Sequence, residues 1–348
     1  MFLHTLRRAA TRKSAISPFR PFSPRSTVQV SWHLSQLAST YAGTKSSPLT
    51  AGSHTFILPC KHNLGYHVLG YHISGKTSGQ PIFYFHGCPS SRLQADDFHE
   101  IGEKLNLCVI GVDRPGIGLS TFRPGYTLLD WPQDIQKLAA YLGFSEFRVF
   151  GGSGGGPFAL ACARELPGNV LKGTGVLAGL GPPESGVKGL SWERWFGFII
   201  NRWLPRWMLH FVIEHGLGRH ARDPDQTQWR KFVINGMIRK MCSKDQALLD
   251  EKETERMISD MRNSLISGSD GYVLDAKTIL GPWPFDLRSV KAKVLIWNGT
   301  DDTDTPIYMA RWTANQLPNG SLREFPGDTH FSIFFSRGEE VLKDLIEM

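Results

Sequence analysis

Phe147-Arg148-Val149-Phe150-Gly151-Gly152-Ser153-Gly154-Gly155-Gly156-Pro157-Phe158 is the stretch on which the reading of this chain turns. Phe147–Phe150 is a short apolar run, as a buried strand requires. It runs straight into glycines, and a helical pattern follows over Gly156–Glu165. Ser153 stands at the centre of G-x-S-x-G, on a turn from strand to helix. Such a turn forces the serine into a strained backbone, where side chains two residues to either side would collide; Gly151 and Gly155 remove that collision. The helix that follows aims free N–H groups at the turn, which favours a developing negative charge. A phosphate-holding glycine loop is the rival reading. The spacing fits neither G-x-G-x-x-G nor the Walker pattern with its lysine.

Outward from the turn, strands and helices alternate. Toward the N-terminus, His54–Pro59 and Leu64–Ser74 read as strands joined by a turn at Lys61–Asn63, and Pro81–His86 and Asn106–Val112 as further strands. Helical stretches fall near Gln94–Leu105 and Leu128–Leu142. Toward the C-terminus, a strand is expected around Gly173–Leu180. Helical patterns without a clear strand then run from 183 to 287. Lys291–Trp297 resumes the sheet, followed by a helix at Ile307–Leu317, a strand at Ser321–Phe325 and a helix at Glu339–Ile346. This order predicts an α/β protein with a mostly parallel sheet covered on both faces. The expected organisation is a leader over 1–50, a core over 51–182 and 288–348, and a helical insertion over 183–287.

Three further motifs carry chemistry. His86-Gly87-Cys88-Pro89 follows an early strand. An oxyanion hole takes one backbone N–H from such a loop and one from the residue after the nucleophile, here Cys88 and Gly154. Backbone donors make the thiol of Cys88 incidental, and nothing near it in sequence would activate it. Gly299-Thr300-Asp301-Asp302-Thr303-Asp304-Thr305-Pro306 follows one late strand, and Gly327-Asp328-Thr329-His330-Phe331 the last. A serine hydroxyl needs a base to take its proton, and the imidazole needs an acid to hold its tautomer. Both groups fall on loops at strand C-terminal ends, where open α/β sheets bind ligands.

Asp113-Arg114-Pro115-Gly116-Ile117-Gly118-Leu119-Ser120 completes the set. With these motifs in this order, the sequence resembles the α/β-hydrolase fold family from about Thr55 to Met348. The resemblance implies Ser153 as nucleophile, His330 as general base and Asp302 as the acid that orients it. Asp302 fits G-x-x-D-x-x-x-P from Gly299 to Pro306. Asp301 and Asp304 are its rivals, and Thr305 stands where the family has an apolar residue. It implies for His86 a structural role in shaping the oxyanion loop. The family places a helical cap at residues 183–287, where it sets substrate choice. Trp192, Trp195 and Phe196 belong to an aromatic stripe there, read first as packing and, overlapping that, as the lining of an apolar pocket. Trp283 and Tyr272 are pocket candidates near the hinge. Contact of this stripe with a membrane ranks well behind, and 223–262 reads as solvated helices.

The formal charge of +7 points to no acidic partner. Residues 1–50 hold seven Lys and Arg and no Asp or Glu, which accounts for the excess. A nucleic-acid binder would carry its basic patch on the folded domain. The leader, with Phe2, Leu6 and Ala9 at helical spacing against Arg8 and Arg12, is expected to direct the chain to mitochondria, with the cytoplasm as the alternative. Five scattered cysteines suit neither a disulfide framework nor a metal site, and no cofactor or metal is implied. The expectation is a serine hydrolase of a small, largely apolar ester or thioester. Aminopeptidase, lactonase and carbon–carbon hydrolase activities, a haloperoxidase-like activity and a non-catalytic ligand binder are its rivals. Epoxide and haloalkane hydrolases need a carboxylate where Ser153 stands. Oligomeric state is not readable from the sequence.

Overall fold

A computed structural model describes residues 49–59 and 65–348. The leader as far as residue 48 and the turn at Lys61–Asn63 lie outside the described residues. Among the described residues, eight strands form one sheet: β1 (Gly52–Pro59), β2 (Tyr66–Gly75), β3 (Gln80–Phe85), β4 (Leu107–Val112), β5 (Phe147–Gly152), β6 (Leu171–Leu177), β7 (Val294–Gly299) and β8 (Gly320–Phe325). Their spatial order is β1-β2-β4-β3-β5-β6-β7-β8. The first two pairings are antiparallel and the remaining five parallel. This is the mostly parallel α/β sheet expected from the alternation.

Helices α1 (His99–Leu105), α2 (Trp131–Tyr141) and α3 (Gly156–Glu165) connect the early strands. The insertion between β6 and β7 carries α4 (Trp192–Trp203), α5 (Arg206–Ile213), α6 (Arg219–Arg222), α7 (Thr227–Gly236), α8 (Ser243–Gln246), α9 (Glu251–Asn263) and α10 (Asp270–Leu280), and no strand among its described residues. Helices α11 (Ile307–Gln316) and α12 (Ser332–Ile346) flank β8. The central strands are largely apolar because both faces are covered, with Arg148 of β5 and Lys172 of β6 near the strand starts. On β3, Phe83 and Phe85 join a buried cluster with Trp131 of α2 and Phe158 of α3, while Ile82 and Tyr84 join the opposite cluster with Phe98 and with Leu342 of α12. The two-residue period of the strand thus feeds two cores.

Three local expectations change. The helix expected over Gln94–Leu105 splits into a 3₁₀ stretch at Arg92–Phe98 and α1. The Arg92 N–H is taken by Asp113 Oδ1 at 2.7 Å, which turns the start of the segment toward the end of β4. Helix α12 begins seven residues before the expected Glu339, with Gly338 inside it. A Cβ there would stand 3.0 Å from Ile101 Cδ1, so this glycine serves close packing and does not end the helix. The segment 223–262 is not simply solvated. Trp229, Val233, Ile258 and Met261 form a small core of their own, and Asp260 is buried.

Candidate active site

Ser153 follows β5 directly with φ of +51°, a left-handed backbone uncommon outside glycine and costly to hold. The glycines around it make that geometry possible. A Cβ on Gly155 would stand 2.0 Å from the Phe85 carbonyl oxygen, and one on Gly151 would stand 2.5 Å from the Gly155 carbonyl oxygen. No larger residue fits without backbone movement. The helical run after Ser153 passes into α3, whose Pro157 costs no hydrogen bond in the first turn. Beside the turn lies the loop after β3. A Cβ on Gly154 would meet the Cys88 amide nitrogen at 3.4 Å, so the two backbones expected to donate N–H groups are neighbours.

His330 stands between β8 and α12. Its Nδ1 is 2.8 Å from Asp302 Oδ2. The other carboxylate oxygen of Asp302 accepts the N–H groups of Asp304 at 2.8 Å and Thr305 at 2.7 Å. Thr305 Oγ1 lies 2.9 Å from Asp302 Oδ2 and 2.8 Å from the Ala178 carbonyl oxygen. The threonine that departs from the family pattern therefore belongs to the hydrogen bonding around the carboxylate. Asp304 instead holds Arg194 of α4 with two contacts of 2.8 Å, and Asp301 is exposed and bonded to Thr300. Burial lowers the His330 pKa, but the charge and hydrogen bond of Asp302, with the charge of Asp304, outweigh it and hold the ring above its ordinary 6.5. No hydrogen bond joins Ser153 to His330 in this arrangement of side chains.

Ser153, Gly154, Gly87, Cys88 and His330 line one cavity of about 420 Å³. From the insertion come apolar residues of α4 and α5, among them Phe198, Ile200, Leu209 and Ile213, and Tyr272, Ala276 and Ile279 of α10. Asp97, Glu253, Arg256 and Asp260 reach the same cavity. Burial pushes the carboxyl of Asp97 up to about 7 and that of Asp260 up to about 6, despite Arg256 beside the former and hydrogen bonds to the latter.

The structure places four expected lining residues elsewhere. Trp192, Trp195 and Phe196 lie on the outer side of α4, with Trp192 73% exposed. The helical period turns Phe198 and Asn201 inward in their place, both buried. Trp283 donates its indole N–H to the Ile279 carbonyl at 3.2 Å and tilts against Phe285. Of the hinge candidates, Tyr272 does line the cavity. The Cys88 thiol, also in the wall, is pushed far up by burial and by Asp275, which leaves it unreactive as a thiolate.

Two residues escaped the sequence reading. Arg114, from the Asp-Arg-Pro-Gly motif, is buried. It donates to the carbonyls of His86 and Gly87 at 2.5 and 2.9 Å and forms a two-pronged pair with Asp275 of α10 at 2.6 and 2.7 Å. Asp260 of α9 accepts from Ser90 Oγ at 2.5 Å, Ser91 N at 2.9 Å and Ser91 Oγ at 2.6 Å. Both acids lie in the insertion, and both fasten the loop that carries Cys88. Arginine beside a motif aspartate was the available signal for the first. His86 is buried, kept neutral chiefly by burial, with Nδ1 2.8 Å from the Gly87 carbonyl oxygen.

A sequence profile of the alpha/beta hydrolase fold matches residues 80–336. The chain belongs to the α/β-hydrolase fold family. A non-heme haloperoxidase of Rhodococcus erythropolis is 28% identical over 271 residues, which is 73% of this chain and 86% of the relative. A proline iminopeptidase of Xylella fastidiosa is 34% identical over 195 residues, 52% of this chain and 53% of the relative. Among solved structures, a thermophilic esterase from Thermogutta terrifontis superposes with a TM-score of 0.58 at 20% identity, covering 84% of this chain and 98% of that one. The hydrolase family is therefore established for this α/β-hydrolase, and its relatives act in different reactions.

Proposed function

We propose that this α/β-hydrolase cleaves a small, largely apolar carboxylic ester or thioester through an acyl-enzyme on Ser153. In this reading His330 takes the serine proton as the hydroxyl attacks the carbonyl carbon, and returns it to the leaving group. Asp302 fixes the ring and stabilises its charged form. The N–H groups of Cys88 and Gly154 hold the oxyanion; losing one such donor costs about 3 kcal/mol. Water then attacks the acyl-enzyme by the same steps in reverse. The observation that carries the reading is His330, held from behind by its hydrogen bond to Asp302, on the wall of the same cavity that Ser153 lines from a left-handed turn. The apolar side chains of α4, α5 and α10 in that wall support an acyl group as the bound moiety.

A second reading, cleavage of an amide next to a basic amine, rests on the three acids Asp97, Glu253 and Asp260 in one part of the wall, where Arg256, paired with the first two, is the single cation. Labelling with a fluorophosphonate, beside Ser153→Ala, tests the serine: the reading expects labelling only of the unsubstituted protein, and labelling of both would refute it. Turnover of p-nitrophenyl butyrate against proline p-nitroanilide separates ester from amide chemistry.

A further inference from the structure

Helices α4 and α5 have two apolar sides. One lines the cavity through Phe198, Ile200 and Leu209. The other faces solvent. Of the twelve large hydrophobic residues exposed among the described residues, eight lie between 192 and 212, which makes this a patch and not a scatter. Trp192, Trp195, Phe196 and Trp203 follow helical spacing along α4, and Trp207 and Phe211 continue the stripe on α5. Trp203 is 75% exposed and Trp207 72%, values that no packing role accounts for.

Charge decides what covers the patch. Residues 188–222 contain six Lys and Arg against two Asp and Glu. Lys188, Arg206 and Arg219, which flank the stripe or fall within it along the chain, are exposed, and Arg206 has no carboxylate partner among the described residues. Glu214, one of the two acids, is engaged by Arg222 and Ser269. A second copy of the same basic surface would be repelled. The chain's own leader is basic too. No helix among the described residues is long and apolar enough to cross a membrane. Aromatic side chains at headgroup depth with a fringe of arginine and lysine are what an interfacial helix presents to anionic lipid. We propose that α4 and α5 form a docking surface for an anionic membrane, on which the protein rests peripherally with its cavity behind the docked helices.

This inference does not depend on the reaction at Ser153. The test uses the full chain and sedimentation with vesicles of phosphatidylcholine with phosphatidylglycerol, and of phosphatidylcholine alone. The wild type is expected to bind the mixed vesicles, more weakly as salt is raised. Trp203→Ser/Trp207→Ser/Phe211→Ser is expected to bind roughly tenfold or more weakly, with little change in melting temperature, because Trp203 and Trp207 are largely exposed and Phe211 lies against the exposed His215 ring. Arg206→Glu/Arg219→Glu keeps the aromatic stripe and is expected to lose binding as well. Every variant retains the basic leader, so the differences report α4 and α5 alone. Equal binding by wild type and the aromatic variant would overturn the proposal and assign binding to the leader. Equal binding to both vesicle types would overturn its electrostatic half. A wild-type dimer that the aromatic variant dissolves would show a second copy as the occupant and overturn it too.

Discussion

Replacing Asp302 by asparagine tests the proposed mechanism most sharply, because the hydrogen bonds determine which way the new amide faces. Asp302 Oδ1 accepts two backbone N–H groups, from Asp304 at 2.8 Å and Thr305 at 2.7 Å. Only an acceptor satisfies both, so the amide oxygen of Asn takes that place. The amide NH₂ then replaces Oδ2, opposite His330 Nδ1 and Thr305 Oγ1. Thr305 Oγ1 accepts one of its protons and turns its own to the Ala178 carbonyl, 2.8 Å away. Every buried group keeps a partner, so the fold should survive. His330 Nδ1, however, must now accept. Its proton moves to Nε2, and the ring has no lone pair left for the serine proton. A wrong tautomer of this kind costs about four decades in kcat, or about 5.4 kcal/mol of transition-state stabilisation. The assay is steady-state hydrolysis of p-nitrophenyl butyrate. Asp302→Asn is expected to lose about 10⁴ in kcat with little change in KM. Asp301→Asn, on the surface, should stay near wild type, and Asp304→Asn should fall by less than about tenfold. Asp302→Asn within tenfold of wild type, or Asp304→Asn slower than Asp302→Asn, would refute the reasoning.

The remaining predictions concern pH and stability. His330 is held above its ordinary value of 6.5 and serves the mechanism only when neutral, so kcat/KM should be lost as pH falls through a midpoint above 6.5. Asp304 is one of the charges that raise it, so the rate profile of Asp304→Asn should shift to lower pH; a shift upward would show the sign to be wrong. Asp275→Ala leaves the buried Arg114 guanidinium without a carboxylate and should cost about 3–5 kcal/mol in urea unfolding. Arg114→Met/Asp275→Leu should regain much of that stability yet stay slow in turnover, since the carbonyls of His86 and Gly87 lose their donor; a fast double variant would show that the arginine does not position the loop.

The sheet was legible because its signals are local. Short, mostly apolar runs ending in glycine or a motif loop mark the strands, and the elbow demands glycine at Gly151 and Gly155 for steric reasons that a sequence displays openly. The Asp302–His330 contact spans 28 positions, yet motif spacing brought the two together on paper. The inner face of the insertion was not legible in the same way. A tryptophan on an amphipathic helix carries no mark of which partner it faces, and α4 is apolar on both sides, so the sequence reads Trp192, Trp195 and Phe196 as packing and pocket lining alike, while in the structure Phe198 and Asn201 face the cavity. Asp260 was lost in a charged helix, since its burial depends on Ser90 and Ser91, some 170 residues earlier.

Those long-range contacts constrain how the insertion can move. Asp260 on α9 holds Ser90 and Ser91, and Asp275 on α10 holds, through Arg114, the carbonyls of His86 and Gly87. The loop carrying Cys88 is thus gripped from the insertion at both ends. Lifting the insertion as a rigid body would separate Arg114 from Asp275 in a buried setting, where parting one ion from its partner costs several kcal/mol, and would release the loop at the same time. Helices α4 and α5 are attached differently. The C-terminal end of α4 is pinned to α10 by Asn201, which donates to the Ala276 carbonyl, and by Lys277, which donates to the Leu204 carbonyl at 2.7 Å. Its N-terminal end is held by the two-pronged Arg194–Asp304 pair, with the arginine side chain 43% exposed, and by one backbone bond from Ser191 to Thr303. A partly exposed pair costs less to part than the fully buried Arg114–Asp275 pair. Movement of least cost therefore pivots α4 about Asn201 and Lys277 and breaks the contact with Asp304, while α9 and α10 keep the oxyanion loop in place. The end free to move carries the exposed Trp192, Trp195 and Phe196, whereas Trp203 and Trp207 sit at and beyond the pivot, so binding of the N-terminal aromatic side chains to a lipid surface would act on the wall of the cavity without disturbing the residues that hold Cys88 and Gly154.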